Sequence, residues 1–302
     1  MHGTNEFMTW KIPRQKKKCL LLFYMLGKVH HLLKTNTNST KRDIYYEDVT
    51  LWGSQTLLDE IVTQLTRLLR IPRHCINIRA TSKGLVAGSL TFLDPSGKLV
   101  DCRTPNGILI PDDVDKLSQL RSTANAILVI EKDSTFQKLI DDKVEHFIGD
   151  CIMITGKGYP DINTRRLLRR LWEELEVPPL ALVDADPHGI YIMAVYRYGS
   201  QNLEQIEHLA TPQLRYVGLQ PSDIESLRLP SDARLPLTGR DRSLLSSLCE
   251  KPFVTQNGHL HEQVLKLRQL DCKVELQGLT KISPQFLVRS YLPSKIRALS
   301  WI

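Results

Sequence analysis

Leu180-Ala181-Leu182-Val183-Asp184-Ala185-Asp186-Pro187-His188-Gly189 is the stretch on which the fold turns. Four apolar residues without a polar break read as a strand buried on both faces, since a half-exposed strand alternates. Two carboxylates, one residue apart, then follow where the strand becomes a loop. Working back along the chain, Ala126-Ile127-Leu128-Val129-Ile130 is a similar run that ends at Glu131 and leads into a helix-like stretch from Ser134. Cys151-Ile152-Met153-Ile154-Thr155 is another, ending in Gly156-Lys157-Gly158 and followed by a helix over about 164–175. Apolar runs separated by helices predict a parallel βαβ sheet, and so an α/β fold.

In an open parallel sheet, ligands bind at the carboxyl ends of the strands. Glu131, Asp184 and Asp186 are placed there by sequence, which predicts an oxygen-rich site suited to Mg²⁺ or Mn²⁺ rather than zinc. An Asp-x-Asp before a helix also fits a cap, and His188 fits a ligand, an acid–base group or a structural role. Gly189 is expected to permit a tight backbone. Gly156-Lys157-Gly158 lacks the G-x-x-x-x-G-K-[ST] spacing, which excludes a phosphate-loop ATPase.

Further back the periodicity is helical. Leu22, Met25, Leu26, Val29, Leu32 and Leu33 define one helix; Thr40 three residues before Asp43 predicts a capped second helix from Lys41. Ser54 caps a third, with Leu57, Leu58, Ile61, Leu65, Leu68 and Leu69 on its apolar face and Pro72 as its stop. A short strand is expected over 76–80. Ser89–Leu93 and Lys98–Cys102 flank the turn sequence Asp94-Pro95-Ser96-Gly97, a hairpin. Three helices and a hairpin are the layout of a winged-helix (CAP-like) unit. The expected organisation is an α+β winged-helix domain over residues 1–104, then, past a hinge at 104–107, a Rossmann-like domain over 105–302.

The chain has 302 residues, 42% hydrophobic and 24% charged, which excludes collagen-like and wholly disordered classes. Residues 1–46 hold Lys11, Arg14, Lys16, Lys17, Lys18, Lys28, Lys34, Lys41 and Arg42 against Glu6 and Asp43, so they account for the whole net charge of +7. A one-ended basic excess points to a polyanionic partner. The six cysteines form no C-x-x-C pair, which argues against a zinc ribbon or a disulfide framework and for a reducing compartment. No apolar run approaches the roughly 20 residues of a membrane span.

Val129-Ile130-Glu131-Lys132-Asp133 with Val183 to Gly189 resembles a Toprim domain, the Mg²⁺-binding fold of topoisomerases and some primases and nucleases. With Lys41-Arg42-Asp43-Ile44-Tyr45-Tyr46, Ser82 to Gly88, Thr155-Gly156-Lys157-Gly158, Pro160-Asp161 and Tyr196-Arg197-Tyr198-Gly199-Ser200, the chain resembles the A-subunit family of topoisomerase VI. The likeness is strongest to its eukaryotic, meiotic-recombination members and covers roughly residues 20–302. It implies a type IIB topoisomerase-like DNA transesterase that forms meiotic double-strand breaks. Tyr46, the second Tyr of the Arg-Asp-Ile-Tyr-Tyr motif, is then the nucleophile, assisted by Arg42, with the metal on Glu131, Asp184 and Asp186. The implied product is a 5′-phosphotyrosyl DNA with a free 3′-hydroxyl.

The implied partners are double-stranded DNA, a second copy of the chain whose metal site serves this Tyr46, and a protein like the B component of topoisomerase VI. Only 45 residues precede Tyr46, which bears on docking of that B-like protein. A topoisomerase VI component that cuts and reseals, and a DNA-binding form that does not cleave, are the rival expectations. Lys157, Tyr159, Arg165, Arg166 and Arg169 are the expected DNA contacts, the arginines as an arc on the helix after Thr164, although Arg169–Glu173 and Arg170–Glu174 also suit i,i+4 ion pairs on a solvated face. Arg14 with Lys16-Lys17-Lys18 fits a nuclear import signal, which agrees with a nuclear location.

Overall fold

The computed structural model describes residues 13–71, 73–79, 82–199 and 209–301. Lys11 of the basic segment, the helix stop at Pro72, the strand end at Ala80 and Ser200 of the tyrosine-rich motif lie outside them. The chain divides into two compact units, residues 1–81 and 82–302.

In the first unit, α1 (Pro13–Thr35), α2 (Lys41–Glu47), α3 (Val49–Trp52) and α4 (Gln55–Leu69) surround one apolar core. Met25, Val29 and Leu32 of α1 meet Ile44, Trp52, Leu58, Ile61 and Leu65 there. The expected cap of α2 is present: Thr40 Oγ1 accepts from Asp43 N at 3.1 Å, and Asp43 Oδ2 accepts from Thr40 N at 2.9 Å. Asp48 caps the additional turn α3 through Leu51 N at 2.9 Å. Ser54 caps α4 as expected, and Arg70 closes it in the left-handed region at φ 54°. The strand expected over 76–80 is shorter: Ile76 lies in a 3₁₀ turn, and β2 (Ile78–Arg79) pairs in parallel with β1 (Ser39–Thr40).

The second unit holds β3 (Leu85–Gly88), β4 (Thr91–Leu93), β5 (Leu99–Asp101), β6 (Ile108–Leu109), β7 (Ser118–Arg121), β8 (Ala126–Ile130), β9 (Cys151–Thr155), β10 (Pro179–Leu182) and β11 (Arg215–Tyr216). Among the described residues, its main sheet has the order β11-β10-β8-β9-β3-β6, with β8 to β11 parallel and β3 antiparallel to β9. Helices α5 (Asp133–Asp141) and α6 (Glu145–Ile148) join β8 to β9, and α7 (Ile162–Leu175) joins β9 to β10. Then come α8 (Pro187–Tyr198), α9 (Pro221–Ser226), β12 (Leu235–Pro236), α10 (Gly239–Cys249), α11 (Pro252–Thr255), α12 (Gly258–Leu270), β13 (Cys272–Lys273) and α13 (Leu292–Arg297). Ile127 and Val129 of β8 enter one core, and Ala126, Leu128 and Ile130 enter the core on the opposite face. Burial on both faces is why these strands lack polar alternation.

The expected boundary at 104/105 is displaced. The hairpin forms with Phe92 opposite Val100, but β7 joins it as a third strand and β3 pairs with β9, so residues 82–104 belong to the second unit. The wing assigned to the first domain is therefore not part of that compact unit. Nor is 104–107 a hinge: Gly107, at φ 68°, sits against the Phe136 ring, where a Cβ would come within 2.9 Å. Among the described residues, no helix is long and apolar enough to cross a membrane.

Candidate metal centre and nucleophile

Strand β8 lies between β9 and β10, and the chain leaves it first to one side and then to the other. That reversal makes its carboxyl end a topological switch point. Glu131 follows β8 directly, and Asp184 follows β10 on the adjacent strand end. Glu131 Oε2 accepts from Asp184 N at 3.0 Å, and Gly158 N donates to Glu131 O at 2.8 Å. All three expected strand-end clusters thus meet at one edge of the sheet. Asp186 caps α8, with Oδ1 accepting from Gly189 N at 2.6 Å.

Gly189 serves this junction by its size. Its φ is not positive; a Cβ there would lie 2.5 Å from Asp184 O and 3.1 Å from Glu131 Oε2. The expectation of a special backbone conformation gives way to one of close approach.

Glu131 and Asp184 are 7% and 1% exposed. Burial, then the negative charges of Asp184 and Asp186, push the Glu131 carboxyl up to about 8. Burial also raises Asp184, against the Leu276 N–H, which donates to Oδ1 at 2.8 Å, and against Lys132. The Lys132 ammonium stands 2.9 Å from Asp184 Oδ2 and 2.7 Å from Glu275 Oε1. Partial burial works against its charge, but Glu275 and Asp184 outweigh that and hold it protonated.

Among the described residues, no group of three or more His, Cys, Asp or Glu side chains is arranged to hold a metal ion. The reason is local, because Asp184 is turned to Leu276 and Lys132, and Asp186 to the helix start. The donor set still fits a hard divalent cation: carboxylates alone, two of them buried, with Asp184 disfavouring the charge of Glu131 and Asp186 that of both. Lys132 was not among the sequence candidates; its adjacency to Glu131 was the available signal.

Tyr46 is 67% exposed on α2, and Arg42, also exposed, stands four residues earlier on the same face. The Tyr46 ring packs edge-on against Tyr45 at 5.4 Å. Two contacts fix α2 from behind: Trp52 Nε1 donates to Ile44 O at 3.1 Å, and Lys28 pairs with Glu47 at 2.6 Å.

The expected DNA contacts divide. Lys157 and Tyr159 are exposed on the loop after β9, with Lys157 Nζ 3.2 Å from Asp133. Tyr159 Oη lies 2.9 Å from His188 Nδ1. The arginine arc is not a free surface. Arg165 is 3% exposed, and burial lowers its guanidinium to about 10, with Tyr196 beside it. Arg166 pairs with Asp115 at 3.4 Å, Arg169 with Glu173 and Arg170 with Glu174. The i,i+4 reading describes Arg169 and Arg170, whereas Arg165 shares the inner side of α7 with Leu168 and Leu171.

The Toprim domain family of topoisomerase 6 A subunits and Spo11 matches residues 126–296, and the Type IIB DNA topoisomerase family matches residues 17–78. The chain is 39% identical to the Homo sapiens protein "Meiotic recombination protein SPO11", over 100% of this chain and 76% of that one. It is 38% identical to the Mus musculus protein of the same name, over 96% and 74% of the two chains. It is 35% identical to the DNA topoisomerase 6 A subunit of Arabidopsis thaliana, over 95% and 67%. With both family matches in chain order and the carboxylate-bearing strand ends of β8 and β10 inside the Toprim segment, the chain belongs to the family of topoisomerase 6 A subunits and Spo11.

Proposed function

We propose that this protein is a divalent-metal-dependent, topoisomerase-like transesterase that forms DNA double-strand breaks in meiotic recombination, acting in the nucleus. The observation that carries the reading is the gathering of Glu131 and Asp184–Asp186 at the switch point of a Toprim sheet, in a chain that also presents an exposed Tyr46. The helical unit of α1, α2 and α4 is the DNA-facing module.

Tyr46 Oη attacks a backbone phosphorus, the P–O3′ bond breaks, and a 5′-phosphotyrosyl end and a 3′-hydroxyl result. One phosphodiester replaces another, so the step is near isoenergetic and uses no water. A phenol has an ordinary pKa of about 10, so the attack requires stabilisation of its developing charge. Arg42, one helical turn away, supplies a cation for that charge and for the phosphate. Glu131, Asp184 and Asp186 would hold Mg²⁺, or Mn²⁺ in its place. When bound, the cation supplies positive charge to the non-bridging oxygens and to the departing 3′ oxygen. Lys157 and Tyr159 contact the DNA strand beside this site. Each copy breaks one strand, so a double-strand break takes two copies, with a protein like the B component of topoisomerase VI as the further partner.

The test is recovery of covalent protein–DNA complexes from germ cells expressing wild-type or Tyr46→Phe protein. The variant should form none while its DNA affinity stays within about twofold, the scale of a surface substitution. A persisting adduct refutes the nucleophile. The 35% identity to a topoisomerase 6 A subunit favours resealing as the second reading. Decatenation after reconstitution with an ATPase partner separates the two.

A further inference from the structure

The segment around Tyr291 is tied to the acidic strand end by a run of buried polar contacts. Leu287–Tyr291 is a π-helical turn that leads directly into α13. Tyr291 Oη donates to Asp223 Oδ2 at 2.7 Å and lies 3.0 Å from Gly218 O, a second acceptor. Asp223, in the first turn of α9, also accepts from Gln220 N at 2.9 Å and pairs with Lys295 of α13 at 2.8 Å. Tyr291 and Asp223 are both buried.

From Gly218 the line continues through backbone. A Cβ on Gly218 would lie 2.3 Å from both Val183 N and Val183 O, so the two segments touch with no side chain between them. Gly218 N donates to Ala181 O at 2.9 Å, and Leu219 N donates to Val183 O at 3.0 Å. The buried Tyr216 hydroxyl donates to Leu219 O and stands 3.5 Å from Asp184 O. Residues 216–219 therefore continue the course of β11 alongside Val183, up to the residue that bears the carboxylate. Close-packed interiors have low compressibility, so a displacement at Gly218 is passed on to Val183 rather than absorbed.

We infer that Tyr291 is a positioning residue of the acidic cluster. Its hydroxyl, with Asp223, fixes the Gly218 backbone, and through Val183 it fixes the place from which Asp184 projects. Leu276 N holds the Asp184 carboxylate itself; the Tyr291 line sets the backbone beneath it. A π-helical turn at such a place agrees with the frequency of these turns at functional sites. The line stands on the geometry alone; its consequence for metal binding rests on the function proposed above.

Two measurements on the full chain test it, both with Tyr291→Phe, which removes one hydroxyl and leaves the ring. In metal-free ¹H–¹⁵N spectra, the amide signals of Gly218, Val183 and Asp184 should move, while those of β7 should not. Shifts that stop at Gly218 overturn the inference. In EPR titrations of the folded proteins with Mn²⁺, the variant should bind about fivefold more weakly, the worth of one hydrogen bond. Asp223→Asn should lose about as much and the double variant no more; additive losses overturn the shared line. Val264→Ala, in the core that does not contain Tyr291, is the control: it should lower Tm and bind Mn²⁺ like wild type. Equal weakening by Val264→Ala overturns the inference, because any loss of packing would then suffice. So does a Tyr291→Phe protein that loses Tm but keeps wild-type Mn²⁺ affinity. If wild type itself binds no Mn²⁺, the metal reading of the function fails, while the amide shifts still decide the positioning line.

Discussion

Replacing Gly189 with Ala is the most direct probe of how tightly the site is built. The new Cβ would lie 2.5 Å from Asp184 O, 3.1 Å from Asp184 N and 3.1 Å from Glu131 Oε2. Backbone atoms are the nearest neighbours, so the strand-to-helix junction must move. Overpacking of this kind costs about 1–3 kcal/mol, and alanine returns at most about 1 kcal/mol through helix propensity. A net loss of about 2 kcal/mol lowers Tm by roughly 4–8 °C in a unit of this size. Gly239, also in the first turn of a helix, has nothing within 4 Å of its would-be Cβ. Gly239→Ala is therefore the matched control, expected to leave Tm unchanged or raise it by up to about 4 °C. Shifting the Asp184 backbone also moves its carboxylate, so Mn²⁺ affinity, read by EPR on the folded variant, should fall by about 10- to 100-fold. If Gly189→Ala matches Gly239→Ala in Tm and binds Mn²⁺ like wild type, the close-approach argument is wrong.

Thr40→Ala removes the hydroxyl half of the α2 capping box, which accepts from Asp43 N and donates to Asp43 Oδ2, and should cost about 1 kcal/mol by chemical denaturation, with reduced adduct yield because α2 carries Arg42 and Tyr46. The depressed pKa of Asp241 sets an acid limb. Its stabilisation is present above about pH 4 and is lost as pH falls toward about 2, roughly 2 kcal/mol in all. Asp241→Asn should flatten that limb in urea titrations taken from pH 5 to 2; an unchanged limb assigns it to other groups. Arg165→Met should preserve duplex affinity and leave Tm equal or higher, because Nε and Nη2 are buried without hydrogen-bond partners. A large loss of DNA affinity in the folded variant would restore Arg165 as a contact.

The sheet was legible because β8, β9 and β10 are buried on both faces, which writes unbroken apolar runs into the sequence. The carboxylates were legible because each follows such a run. The domain boundary was not, since Leu85-Val86-Ala87-Gly88 is short and its partner Ile152–Thr155 lies more than sixty residues away. Pairing at that range leaves no local period. The burial of Arg165 was hidden by an Arg-Arg-Leu-Leu-Arg-Arg run that reads as a basic face until the helix is aligned on Leu168 and Leu171. Asp241 and Lys273 escaped notice although Thr238 and Asp241 stand at capping-box spacing. Nothing in that spacing says that the spare carboxylate oxygen meets a histidine from another helix.

The bond from Leu276 N to Asp184 Oδ1 spans 92 residues of chain, and Ala185 is bridged to Val274 beside it. During synthesis the sheet strands and all three carboxylates leave the ribosome well before the segment that orients Asp184. Contacts of such long range form late. A nascent chain thus carries Tyr46 and the acidic residues for some time without a finished centre. The acidic cluster therefore takes its final form only once the chain has been made as far as Leu276.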